Sequence, residues 1–130
     1  MSEIFNLEII SPEKIFLQAE TNQVIIPAFE GLMTILKNHI SLVTFLRPGF
    51  IQVNKNDGTE DFFVEEGTVE FSNDKLLILS SSIINKKDFS TVQVSNMLKD
   101  TKKEINNNNL SDKIKYRLSY KIEALESINQ

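Results

Sequence analysis

Hydrophobic and polar positions alternate along most of the chain's first part. From Ile4 to about Ser82 the repeat is two residues long. Phe5, Leu7 and Ile9 fall in one phase, Asn6 and Glu8 in the other. Ile15, Leu17 and Ala19 repeat the pattern, and the run Gln23–Pro27 follows. Successive side chains of a strand point to opposite faces, so this period predicts strands with one buried face. Pro27 has no amide proton and is expected to close a strand or lie on an edge. Asn56-Asp57-Gly58 separates two such runs, as does Ser72-Asn73-Asp74. Both are tight-turn sequences, because Gly, Asn and Asp tolerate positive φ. Short strands joined this way predict an antiparallel sandwich or barrel.

Beyond Ile84 the period lengthens. Val94, Met97, Leu98 and Ile105 share one helical face, and Leu110, Ile114, Leu118, Ile122 and Leu125 share another. Asp88 is a candidate cap for the first helix, with Ser90 and Gln93 as a capping box one turn in. The tetrad Asn106–Asn109 interrupts the pattern, and Asn109 with Asp112 resembles a second cap. Four residues between helices predict an antiparallel helical hairpin. The expected division is a sandwich over residues 1–86 and a hairpin over 87–130, joined near Ser80–Asp88.

Composition narrows the function classes. The 130 residues are 41% hydrophobic, enough for a real core. No window approaches the roughly 18 apolar residues of a membrane-spanning helix, and the start "MSEIFN" does not read as a signal peptide. There is no cysteine, which excludes disulfides and thiolate metal sites. The net charge of −4 disfavours nucleic acid as a partner. The charge is uneven: −5 over residues 1–87 and +1 over 88–130.

Candidate chemistry is sparse. A single histidine, His39, cannot make a two-histidine metal site, and its neighbours Asn38, Ile40 and Ser41 offer no catalytic partner. Phosphate-cradling glycine loops and nucleophile elbows are missing. Glu60-Asp61 and Glu65-Glu66 are adjacent pairs, and neighbours on a strand face opposite ways, which suits solvent better than proton sharing. No catalytic residue, metal or cofactor is expected. Lys99, Lys102 and Lys103 cluster on the first helix; Lys113, Lys115, Arg117 and Lys121 cluster on the second. Each cluster reads as a solvated face or a docking surface. On residues alone, an interaction module with a helical tail and a ligand-binding sandwich enzyme both remain open.

The order of motifs adds a resemblance. Ser11-Pro12, Pro27, Glu30-Gly31, Asn38-His39, Leu42 and Leu46-Arg47-Pro48-Gly49 stand in sequence ahead of "FFVEEGTVEFSNDKLLILSSS" and the amphipathic helix pair. Over essentially its full length the chain resembles the epsilon subunit of the F-type, rotary ATP synthase. It departs from that pattern at Asn38, where the family usually has glycine, at Met33-Thr34 and at Glu66. The resemblance implies a ten-stranded antiparallel β-sandwich followed by a two-helix hairpin. It implies a non-catalytic central-stalk subunit, peripheral to the membrane through its complex, on the cytoplasmic face of a bacterial inner membrane. It places Phe29, Glu30, Gly31 and Leu32 against the c-ring loops. It places Ser11, His39, Ile40, Ser41 and Leu42 beside the gamma subunit, with the apolar residues between the two segments filling the sandwich. The lysine clusters would meet the alpha and beta catalytic subunits, and the hairpin would inhibit ATP hydrolysis. Some members bind ATP through Ile/Leu-Asp-x-x-Arg-Ala at the start of the first helix. Here the acid is Ser90 and the arginine Gln93. Losing the guanidinium removes the best phosphate donor, so little or no ATP binding is expected.

Overall fold

A computed structural model describes residues 3–128. Ten strands come first: β1 (Phe5–Ser11), β2 (Lys14–Thr21), β3 (Gln23–Ala28), β4 (Gly31–Leu36), β5 (Leu42–Leu46), β6 (Gly49–Lys55), β7 (Gly58–Val64), β8 (Gly67–Ser72), β9 (Lys75–Leu79) and β10 (Ile84–Asn85). A 3-10 turn, Lys86–Asp88, leads to α1 (Thr91–Ile105) and α2 (Asp112–Ile128). The strands hydrogen-bond in the order β10-β7-β6-β3-β5-β8-β9-β1-β2, with β4 also on β3. This continuous ladder folds over itself into two layers, as the packing of Phe16 of β2 edge-on to Phe62 of β7 at 5.6 Å shows. All pairs are antiparallel except β1–β9, which is parallel.

The period-two reading of β1 holds: Phe5, Leu7 and Ile9 are buried in the core with Val24, Ile26, Ile35, Ile51, Phe62, Val69, Phe71, Leu76 and Ile78. In β2 it fails at Ile15. Leu17 pairs with Ile9 and Ile15 with Ile10, so Phe16 is an extra residue opposite a one-step advance of β1. The bulge turns Ile15 outward, and Phe16 and Leu17 pack on the core together. Between the two segments of the resemblance, Ile35 is core and Met33 packs on it, but Leu36 faces out.

Turn chemistry follows the residues that permit it. Asn73 and Asp74 have φ of 51° and 57°, closing β8–β9. Asn38, at φ 69°, does what glycine would do there. Gly67 starts β8 where a Cβ would collide with the carbonyl oxygen of Leu79, so the two strands meet at this point only because the side chain is missing.

The helix caps differ from the expectation. Ser90, not Asp88, is the N-cap of α1: its Oγ accepts from the Gln93 amide at 3.0 Å. Asp88 is spent in the 3-10 turn. Ser111, not Asn109, caps α2, accepting from the Ile114 amide at 3.2 Å. Six residues rather than four therefore link the helices, 106–111. The helices pack antiparallel on the outer face of β6–β7. Phe63, Val94, Ala124 and Leu125 are buried together there, ringed by Phe50, Phe89, Met97, Leu98 and Ile128.

Candidate functional site

The two layers each have an outer face, and sequence register shows what occupies it. On the β6–β7 side, Phe50 pairs with Phe63 and both point away from the core, because their neighbours Ile51 and Phe62 point into it. The helical hairpin covers this face. On the other side, register carries Phe45 to Thr68, Leu79, Ile10 and Ile15 in one row across β5, β8, β9, β1 and β2. Val43 lies on the same face one row away, beside Glu70. Among the described residues none covers Val43, 71% exposed, or Phe45, 63% exposed. Exposed apolar side chains of this size grouped on one sheet face, with Glu70, Glu8 and Gln18 in the next row, are the physical pattern of an interaction surface.

Ser11 and His39–Leu42 do not come together. Ser11 ends β1, near the row of Phe45, Leu79 and Ile10. His39–Leu42 enters β5 at the opposite end of that strand. They lie toward opposite ends of the bare face. His39 is half-buried; its ring sits edge-on to Phe71 at 5.9 Å, and Nδ1 is 2.8 Å from the Ile40 carbonyl oxygen. The Asn38 amide donates to Asp74 Oδ1 at 2.8 Å, tying this corner to the β8–β9 turn. Ile40, 78% exposed, projects from it.

The turn Phe29–Leu32 joins β3 to β4. Leu32 is 71% exposed and Gly31 has φ 140°. Glu30 is held in place, its Oε1 accepting from Thr44 Oγ1 at 2.9 Å. Phe29 is not free: its ring leans on Tyr116 of α2 at 4.9 Å, and the Tyr116 hydroxyl donates to the Phe29 carbonyl at 2.6 Å. Burial, with Tyr120 beside it, raises the Tyr116 pKa, so the hydroxyl stays a donor through the neutral range.

The basic residues divide. Lys99, Lys103, Lys113 and Lys115 are exposed. Lys102 pairs with Glu126 at 3.3 Å between the two helices, and Lys121 with Glu65 at 2.7 Å between hairpin and sandwich. Arg117 and Lys113 line an open cleft of about 580 Å³ with Phe29, Phe45 and Glu66. Ser90 and Gln93 meet through their cap hydrogen bond.

Three further features carry no obvious signal in a one-dimensional pattern. Val43, Phe45 and Leu79 look like core by composition, and only pairing shows their outward phase. Arg47 is buried, with the Tyr120 ring 3.7 Å from its guanidinium carbon. At the junction, Glu60 gathers Lys55 at 2.5 Å, Lys87 at 3.5 Å and the Asn85 amide at 2.8 Å. The Lys55 hydrogen bond lowers the Glu60 pKa most; burial opposes it, while Asn85 and the charges of Lys55 and Lys87 lower it further.

Among the described residues, no group of three or more His, Asp or Glu is placed to hold a metal ion, and no helix is long and apolar enough to cross a membrane. What the geometry offers is surface: a bare sheet face with apolar residues, an exposed turn, and a hairpin stowed over β6–β7 whose α2 reaches the edge of the bare face at the Phe45 cleft.

The family model described as "ATP synthase, Delta/Epsilon chain, beta-sandwich domain" matches residues 4–86. The chain is 43% identical to the ATP synthase epsilon chain of Pelagibacter ubique over 130 residues, covering 99% of this chain and 100% of that one. It is 32% identical to the epsilon chain of Sinorhizobium fredii over 106 residues, 81% of this chain and 79% of that one. Two solved chains share the fold. One is in the Euglena gracilis mitochondrial ATP synthase (OSCP/F1/c-ring), with a TM-score of 0.80 at 17% identity, covering 98% of this chain and 82% of that one. The other is in the Tetrahymena thermophila mitochondrial ATP synthase (central stalk and c-ring), with a TM-score of 0.66 at 14% identity, covering 99% and 98%. By sequence over its full length, and with a fold to match, the chain belongs to the ATP synthase epsilon chain family.

Proposed function

We propose that this chain is a non-catalytic subunit of the central stalk of a proton-translocating ATP synthase, where it links the rotor to the catalytic head. The observation that carries this reading, given the family, is the bare outer face of β5-β8-β9-β1-β2. Val43, Phe45 and Leu79 sit there exposed on a rigid sheet, the arrangement in which a few large anchors supply most of a binding energy. The gamma subunit is the partner for this face and its two corners, Ser11 and His39–Leu42. The c-ring loops are the partner for Phe29–Leu32.

The hairpin, residues 87–130, is the regulatory part. In the state described its apolar side lies on Phe50 and Phe63. It reaches the alpha and beta subunits only by leaving that seat, so inhibition of ATP hydrolysis is an exchange of one docking for another. The exposed Lys99, Lys103, Lys113 and Lys115 are available in the seated state, whereas Lys102 and Lys121 are freed only when their carboxylate partners are given up. ATP is not a strong ligand, since Ser90 spends its hydroxyl as a helix cap and Gln93 carries no charge.

The test is a pull-down with the gamma subunit, followed by hydrolysis assays on the assembled enzyme with the full chain or with residues 88–130 removed. One-to-one capture of gamma and faster hydrolysis after truncation are expected. Failure to capture gamma removes the stalk assignment, and unchanged hydrolysis removes the inhibitory one.

A further inference from the structure

The hairpin's contact with the sandwich runs on from its apolar seat, past the Phe50–Ala124 edge, to the exposed turn. Tyr116 and Tyr120, one helical turn apart, stack edge-on at 4.8 Å. Tyr116 holds Phe29 by both ring and carbonyl, and Tyr120 covers the guanidinium of Arg47. Phe29 and Arg47 flank the Ala28–Leu46 pair, one on each strand. The Phe29 amide donates to the Phe45 carbonyl at 2.8 Å, and the Arg47 amide donates to the Pro27 carbonyl at 2.9 Å. These bonds continue the pairing of Ala28 with Leu46, so the two tyrosines grip the last rung where β3 meets β5. Beyond that rung the chain turns straight into Gly31 and Leu32.

Arg47 marks this as more than packing. Its side chain is buried and, among the described residues, donates from Nη1 alone, to the Pro48 carbonyl at 3.2 Å, with no acceptor for Nε. Among the described residues it pairs with no carboxylate. A buried cation answered mainly by an aromatic ring is poorly compensated, and lifting Tyr120 returns it to water.

We propose that Tyr116 and Tyr120 form a clasp that couples docking of the hairpin to the Phe29–Leu32 turn, so that a protein seated on that turn loosens the hairpin. A partner that takes the Phe29 ring or shifts its carbonyl removes the Tyr116 contacts and weakens the Tyr120 cover. By linkage, a seated hairpin weakens that partner's hold on the turn by the same factor. The proposal deepens the reading in which this turn meets the c-ring, and it makes that contact a release signal for the regulatory helices.

Hydrogen exchange on the isolated full-length chain tests the coupling without any partner. Tyr120→Ala and Tyr116→Phe are expected to speed exchange both in α2 and at residues 29–34, by about tenfold for the first and less for the second. Phe29→Ala is expected to speed exchange in α2, although it lies outside the helix. Tyr120→Phe keeps the ring and is expected to leave both regions unchanged. Amides of β1, β8 and β9 report that the sandwich stays folded in every variant. Faster exchange confined to α2 in Tyr120→Ala, with α2 unaffected by Phe29→Ala, overturns the clasp. A chain that shows the coupling yet binds no c-ring-bearing complex keeps the clasp and loses the c-ring assignment instead.

Discussion

The two outer faces of the sandwich carry similar side chains and meet different fates. Phe50 and Phe63 on one face lie under the hairpin, with Phe63 fully buried. Val43, Phe45 and Leu79 on the other remain in water. Burying a large apolar side chain is worth about 1.5–3 kcal/mol, so each face is a store of binding energy. The chain spends one of them on itself. The difference separates a surface that must be released to act from one that is always ready.

Changes that break the covered face have the largest expected effect. Removing residues 88–130 strips the cover from Phe50 and Phe63, and the truncated chain is expected to bind a hydrophobic dye strongly where the full chain does not. Phe63→Ala opens a cavity between β7 and the hairpin and is expected to cost about 3–5 kcal/mol in urea unfolding. Helix signals would melt ahead of sheet signals. A coincident loss of both would show that hairpin and sandwich are one cooperative unit.

On the bare face the same logic predicts the reverse balance. Phe45→Asp is expected to change the stability of the isolated chain by no more than about 0.5 kcal/mol, since the side chain is exposed. It is expected to weaken gamma binding by at least about 30-fold, the size of an interface hot spot. Equal binding by variant and wild type would show that gamma does not use this face.

Acid sharpens the junction between the two regions. Because the Glu60 pKa is lower folded than unfolded, its contribution is present above the ordinary glutamate value of about 4.3 and is lost as pH falls through the folded value. The segment Asn85–Asp88, held by Glu60 through Asn85 and Lys87, is expected to exchange its amides faster below that range. Glu60→Gln should remove the pH dependence. The smallest effect expected is that of Ser90→Ala, about 1 kcal/mol from the lost cap, seen as fraying of α1 alone.

The alternation of Phe5, Leu7 and Ile9 made the strand and its buried side legible before any coordinates. The bulge at Phe16 was not, because an extra residue shows only against its partner strand. Period two assigns residues to a face without saying what lies over it. That is why Phe63 and Val43 cannot be told apart by pattern, though one is covered and the other bare. The family resemblance singles out Phe29–Leu32, but the grip of Tyr116 on Phe29 spans 87 positions of sequence and is visible only in the fold. Asp88 and Ser90 were both plausible caps, and only the 3-10 turn decided between them.

The most direct test measures gamma affinity for three chains side by side: full length, truncated at residue 87, and Phe45→Asp. The division into one self-covered and one ready face predicts that truncation leaves gamma affinity within a few-fold of the full chain while Phe45→Asp weakens it by at least about 30-fold. Tight binding by Phe45→Asp together with loss of binding on truncation would contradict it, placing gamma on the hairpin side instead.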